Sequence, residues 1–164
     1  MKTLLIFRHA KSGGKNAGIP DYQRPLKARG KRDAPRMGVL LRREQLVPDL
    51  ILSSGATRAR RTAELTAEAC GYEGEIQFTR HLYGADVGDI LECLHDVEGA
   101  HPRVMVVGHN PDLELLLEAL TGAYHRLPTA ALAHLTIPID RWSDLDARTA
   151  GTLHHLWHPK MLDL

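Results

Sequence analysis

Cysteine is nearly absent. Cys70 and Cys93 are the only two among 164 residues, widely separated and without partners at metal-finger spacing, which excludes a disulfide framework and a zinc knuckle and leaves both as reduced packing residues. Net charge is nearly absent as well. With 21 lysines and arginines against 20 aspartates and glutamates, the whole molecule carries no field to draw in nucleic acid or an anionic membrane, so any anion preference must come from local clusters. Long apolar runs are missing too: Leu4 to Phe7, near the N-terminus, is far too short for a signal-peptide core or a membrane span, and the expectation is a cytoplasmic protein. No internal repeat and no linker interrupts the chain. Its 43% hydrophobic and 25% charged residues suit one compact domain over residues 1–164. What the sequence does have in quantity is histidine, ten in all, the side chain best able to carry proton or phosphoryl chemistry near neutral pH.

Short apolar runs alternate with helical spacing. Lys2 to Phe7 reads as a buried strand that delivers Arg8-His9 at its C-terminal end, followed by a glycine-containing polar loop from Ala10 to about Arg24. Lys27 to Gln45 has helical spacing at Met37, Leu40 and Leu41, with Pro35 expected to kink the helix or mark a late start. Leu50 to Leu52 is a second strand running into the turn Ser53-Ser54-Gly55. A helix of roughly Thr57 to Cys70 follows, stopped by Gly71. A weaker strand covers Ile76 to Phe78, a loop runs from His81 to Gly88, and Ile90, Leu91 and Leu94 give the next helix its apolar face. Val104 to Val107, apolar throughout, predicts a central strand ending at Gly108-His109-Asn110-Pro111, with Asn110 as N-cap of a helix that Gly122 terminates. Alternation at Ala133, Leu135, Ile137 and Ile139, and a run from Thr152 to Trp157, predict two last strands, Pro138 placing the first of them at an edge.

This order predicts an α/β fold, a three-layer α/β/α sandwich on a mostly parallel central sheet, with its ligand site beyond the carboxyl ends of the strands. Arg8-His9, the turn from Ser53 to Arg58, and His109 all fall at that edge. Together they suit a phosphoryl group. The forked donors of Arg8 and Arg58 match phosphate oxygens and stay charged at any working pH. An unprotonated imidazole can attack phosphorus, and a second can donate to the equatorial oxygens. The residues alone do not choose between His9 and His109 as nucleophile. Lys11, Ser12, Arg24 and Asn110 are further candidates to line the pocket, with the backbone N–H groups of Asn110 and Asp112 at the helix start.

The ordered set Phe7-Arg8-His9-Ala10-Lys11-Ser12, Arg24-Pro25-Leu26 with Arg29-Gly30, Leu52-Ser53-Ser54 with Arg58-Ala59 and Thr62-Ala63, Leu82-Tyr83, Val107 to Pro111, and Pro128-Thr129-Ala130 spans nearly the whole chain. It resembles the histidine phosphatase superfamily, which includes the phosphoglycerate mutases, and within it the short bacterial phosphohistidine phosphatases. The resemblance implies that His9 is the phosphorylated nucleophile, that Arg8 and Arg58 hold the phosphate, that His109 stabilises the transferring group, and that neither metal nor cofactor is used. It also implies a substrate that is a phosphohistidine-bearing protein or a small phosphorylated molecule. Ala10 stands where larger relatives have glycine, and Gly55 where many have proline, which predicts a looser turn before Arg58.

Many superfamily members supply a glutamate as general acid in the loop after the third strand. Here the stretch reads Leu82-Tyr83-Gly84-Ala85-Asp86, so Asp86 is the candidate acid, with Asp89 behind it, each equally able to cap the helix beginning there. A weak acid favours phosphohistidine, whose imidazole leaves readily once protonated from solvent, over esters, whose alkoxide needs a proton from the enzyme. The alternatives are a small-molecule phosphomonoesterase and a phosphate-recognition module that does not turn over. His154, His155 and His158 look like a metal site, but neighbours on a regular strand face opposite ways, so His154 and His155 are not expected to share an ion.

Overall fold

The computed structural model describes residues 1–162. Six strands, β1 (Lys2–Arg8), β2 (Leu50–Ser54), β3 (Ile76–Thr79), β4 (Arg103–Gly108), β5 (Leu132–Ile137) and β6 (Thr152–Trp157), form one sheet in the order β3-β2-β4-β1-β5-β6. The pairs β1–β4, β2–β4 and β2–β3 are parallel, whereas β5 runs antiparallel to β1 and β6 antiparallel to β5. Four helices complete it: α1 (Ala28–Arg43), α2 (Thr57–Cys70), α3 (Val87–His95) and α4 (Asp112–Thr121).

Strand alternation divides the core in two. Leu4 and Ile6 of β1, with Val104 and Val106 of β4, pack against Ile90, Leu94, Leu113 and Leu116 of α3 and α4. Leu5 and Phe7, with Met105 and Val107, pack on the other face against Met37, Leu41, Ala59 and Ala63 of α1 and α2. Both faces of β1 and β4 are covered, which is why their sequences are continuously apolar rather than alternating.

Local punctuation sets several boundaries. Gly71 and Gly122 close α2 and α4 in the left-handed conformation, at φ 77° and 80°. Other expectations need correcting. Pro35 neither starts nor delays α1, which begins seven residues earlier; Lys31, whose carbonyl would have bonded to a residue-35 N–H, is exposed, so water can serve it. Strand β5 is paired on both sides and is not an edge; Pro138 lies just past its end, and β6 holds the edge position instead. Asn110 does not cap α4, whose N-cap is Pro111; its amide donates to Leu127 O at 2.8 Å.

The pairing of β5 with β6 shifts register between His134 and Leu135. The extra residue breaks the alternation that separated His154 from His155, and both rings lie near His134, at centroid distances of 5.1 and 5.6 Å. Among the described residues no group of three or more His, Cys, Asp or Glu side chains is placed to hold a metal ion. No described helix is long and apolar enough to cross a membrane.

Candidate active site

The carboxyl ends of β1, β2 and β4 converge on a cleft of about 470 Å³. Strand β1 ends at Arg8 and hands on His9, the turn after β2 leads into Arg58 in the first helical turn of α2, and β4 ends immediately before His109. All four line the cleft together with Lys11, Ser12, Arg24 and Asn110, so every basic or polar residue anticipated for the site is brought there. Asp86 is not among the lining residues. It caps α3, accepting the Asp89 N–H at 2.8 Å while the Asp89 carboxylate accepts the Asp86 N–H at 3.0 Å, a reciprocal capping box that uses both acids.

Backbone bonds fix the two histidines in place. His9 N–H donates to Gly108 O at 3.1 Å and Ala130 N–H to His9 O at 3.0 Å, tying β1, β4 and the loop before β5 together. The Ala10 N–H donates to Thr62 Oγ1 at 3.0 Å, and that hydroxyl donates to Arg58 O at 2.7 Å, coupling the residue after His9 to the helix that carries Arg58. His9 Nδ1 lies 2.8 Å from Ala10 O. A carbonyl oxygen only accepts, so Nδ1 carries the proton and the lone pair is on Nε2. Burial pushes the His9 ring down to about 3, and His109, Arg58 and Arg8 press it the same way, so the ring is neutral throughout the physiological range.

His109 sits 5.2 Å from His9, ring centre to ring centre. Its Nε2 is 2.8 Å from Ser54 Oγ, which accepts the Ala56 N–H at 3.1 Å. The Ser54 proton has no other acceptor among the described residues, so the hydroxyl donates to Nε2 and leaves the His109 proton on Nδ1, an atom without a protein partner. Burial, and next Arg58, hold this ring down to about 4.

The arginines are held by carbonyls and one carboxylate. Arg8 Nη1 donates to Leu127 O at 3.0 Å, sharing that carbonyl with Asn110, and Glu114 in turn accepts the Leu127 N–H at 2.8 Å. Arg58 donates from Nη1 to Asp21 O at 2.7 Å and from Nη2 to Asp21 Oδ2 at 3.0 Å. Asp21 also accepts from Tyr83 Oη and from Arg24. The Tyr83 hydroxyl, then the Arg58 guanidinium, hold its carboxyl far below the ordinary carboxylate range.

Asp21 belongs to the glycine-containing loop, which these bonds tie to Arg58 of α2 and to Tyr83. Tyr22 meets Tyr83 edge-on at 4.8 Å, and the Arg80 guanidinium lies 4.1 Å from the centre of the Tyr22 ring. Gly55 has its reason here: a Cβ would come within 2.3 Å of Tyr22 Oη, so glycine admits the tyrosine rather than loosening the turn. Asp21, Tyr83, Ser54, Lys15, Lys27 and Thr129 were not assigned roles by sequence reasoning. Asp21 is 37 residues from Arg58, and nothing local in its sequence marks the pairing.

An open α/β sheet whose switch-point crevice holds two neutral buried imidazoles between two arginines defines a phosphoryl-handling enzyme. The chain belongs to the histidine phosphatase superfamily (branch 1), whose family model matches residues 4–114. Membership supports a hydrolase acting on phosphoryl groups. An uncharacterized protein of Mycobacterium tuberculosis, Rv1276c, is 33% identical over 156 residues, covering 88% of this chain and 95% of its own. Among solved structures, a candidate phosphohistidine phosphatase SixA from Nakamurella multipartitia superposes with a TM-score of 0.82 at 28% identity, over 96% of each chain. The protein histidine phosphatase SixA complexed with tungstate gives 0.82 at 22% identity, over 97% of this chain and 98% of that one, and speaks for the fold.

Proposed function

We propose that the protein is a phosphohistidine phosphatase that acts on phosphoproteins through a phosphorylated His9 and needs no metal. The observation that carries this is the His9–Ala10 hydrogen bond: it puts the proton on Nδ1 and leaves a neutral Nε2 with its lone pair beside Arg8, Arg58 and His109.

Nε2 attacks phosphorus as the bond from phosphorus to the substrate imidazole breaks, and that leaving ring takes its proton from solvent. The phosphoryl group rests on Nε2 while Ala10 O, through Nδ1–H, steadies the positive ring. Arg58 uses one N–H on each terminal nitrogen for Asp21 and keeps the other for phosphoryl oxygens, and His109 Nδ1–H and the Arg8 guanidinium add donors as charge spreads in the loose transition state. Water then attacks phosphorus, the bond to Nε2 breaks, and orthophosphate departs.

The acid supply favours this substrate. No carboxyl group is among the described residues that line the cleft, Asp86 is spent on a helix cap, and Asp21 is held ionised. An imidazole leaving group tolerates this, and an alkoxide does not. The test compares hydrolysis of a phosphohistidine peptide with a panel of phosphate monoesters, in the presence of a chelator, for wild type and His9→Ala. Faster release from the peptide, lost in the variant, is expected; a preference for a monoester would overturn the substrate.

A further inference from the structure

Beside the cleft lies a second cavity of about 440 Å³. It shares Arg8, Lys11 and Thr129 with the cleft, and its other walls come from Arg29 of α1, Arg126 and Pro128 of the loop before β5, and His158 to Lys160 beyond β6. No carboxylate is among the described residues that line it. Nine of the chain's 21 lysines and arginines line one cavity or the other, so a molecule with almost no net charge has a local concentration of positive charge at this edge, with no carboxylate among the described residues that line either cavity. The nearby acids have other partners. Asp33 bridges Arg29 at 3.4 Å and Arg36 at 3.3 Å, and Glu114 is bonded to Leu127 N–H.

Arg8 is the wall between the two cavities. Its Nε is buried without a partner among the described residues, and burial, with Arg126 and Arg58 pressing the same way against Glu114, holds the guanidinium below its ordinary value. Glu114 offsets only part of this crowding, and like charges left together cost free energy that an added anion recovers. One phosphoryl group in the cleft satisfies Arg58 and one side of Arg8; Arg126 and Lys160, exposed on the far side, remain for something else.

We propose that this basin is a second anion site, which takes an anionic group covalently tied to the phosphoryl group being hydrolysed. The inference rests on the phosphohistidine reading above: in a phosphoprotein substrate the second anion is an aspartate or glutamate side chain flanking the phosphohistidine. Arg126 and Lys160 act there as specificity residues, selecting acidic neighbours, while Arg8 and Lys11 bridge the two anions.

The experiment uses two phosphohistidine peptides that differ only in carrying two glutamates or two glutamines on each side of the phosphohistidine, together with a phosphate monoester bearing a second phosphate and one without. Wild type is compared with the double variant Arg126→Gln/Lys160→Gln at two exposed positions, its fold checked by circular dichroism. Two exposed charge pairs predict a preference of about tenfold in kcat/KM for the acidic peptide, carried in KM, shrinking to within about twofold in the variant and at high salt. Equal rates on the two peptides in wild type, with His9 still becoming phosphorylated, would overturn the basin and leave the phosphatase standing. Failure on both peptides, with the doubly phosphorylated ester preferred and that preference lost in the variant, would keep the basin, assign it to a small bisanionic substrate and overturn the phosphohistidine reading.

Discussion

The protons on His9 Nδ1 and His109 Nδ1 are placed by two different partners, a carbonyl that accepts from His9 Nδ1 and a hydroxyl that donates to His109 Nε2, and the two rings differ accordingly. Ala10 O leaves the lone pair on His9 Nε2; Ser54 leaves the proton on His109 Nδ1. This is where sequence reasoning stopped short, because Arg8-His9 and Gly108-His109 are equivalent strand ends until their hydrogen bonds are known. Asp86 illustrates the opposite case. Its position fitted both an acid and a cap, and the reciprocal bonds with Asp89 decide for the cap. Asp86→Ala is therefore expected to keep kcat while costing about 1 kcal/mol of stability, the usual worth of a cap, read by urea denaturation beside a turnover assay. A fall of a hundredfold in kcat with unchanged stability would restore Asp86 as the acid.

Helices and strands were legible where their signals are local. The extent of α2, the glycine stops of α2 and α4, and the apolar β1 and β4 follow from residues that interact with their own neighbours in sequence. What escaped was set by distant partners: the register shift that brings His154 and His155 together comes from pairing with β5, and Asn110 turns to Leu127 instead of capping α4. The contact of α1 with α2 is of this kind too. Gly38 permits it, since a Cβ there would come within 2.5 Å of Thr66 O and 2.7 Å of Ala69 Cβ. Gly38→Ala is expected to destabilise the fold by about 1–3 kcal/mol, as overpacking does, despite alanine's better helix propensity, with the loss visible as a lower urea midpoint. A stabilised variant would mean the two helices have room to part.

At the scale of the molecule, the site and the stability are coupled through pH. Burial holds His9 down to about 3 and His109 to about 4, whereas both titrate near 6.5 once unfolded. Between those values the unfolded chain binds more protons than the folded one, so stability is complete above about pH 6.5 and drains as pH falls toward about 3. The urea midpoint of wild type should decline over that window more steeply than that of His9→Asn, whose buried amide does not titrate; parallel declines would show that His9 is not held neutral by the fold. The same edge that buries the histidines collects the basic residues, so a chain balanced in overall charge still presents a strongly positive mouth.

Covalent catalysis at one ring nitrogen is the claim on which the rest depends, and trapping the phosphoenzyme tests it most directly. The enzyme is mixed with a phosphohistidine peptide labelled in its phosphoryl group, quenched in alkali within milliseconds, and the label is mapped by mass spectrometry. Acid-labile phosphate on Nε2 of His9, absent in His9→Ala and retained longer when hydrolysis is slowed, is the predicted result. Label on His109, or turnover with no labelled protein at any time, would contradict it.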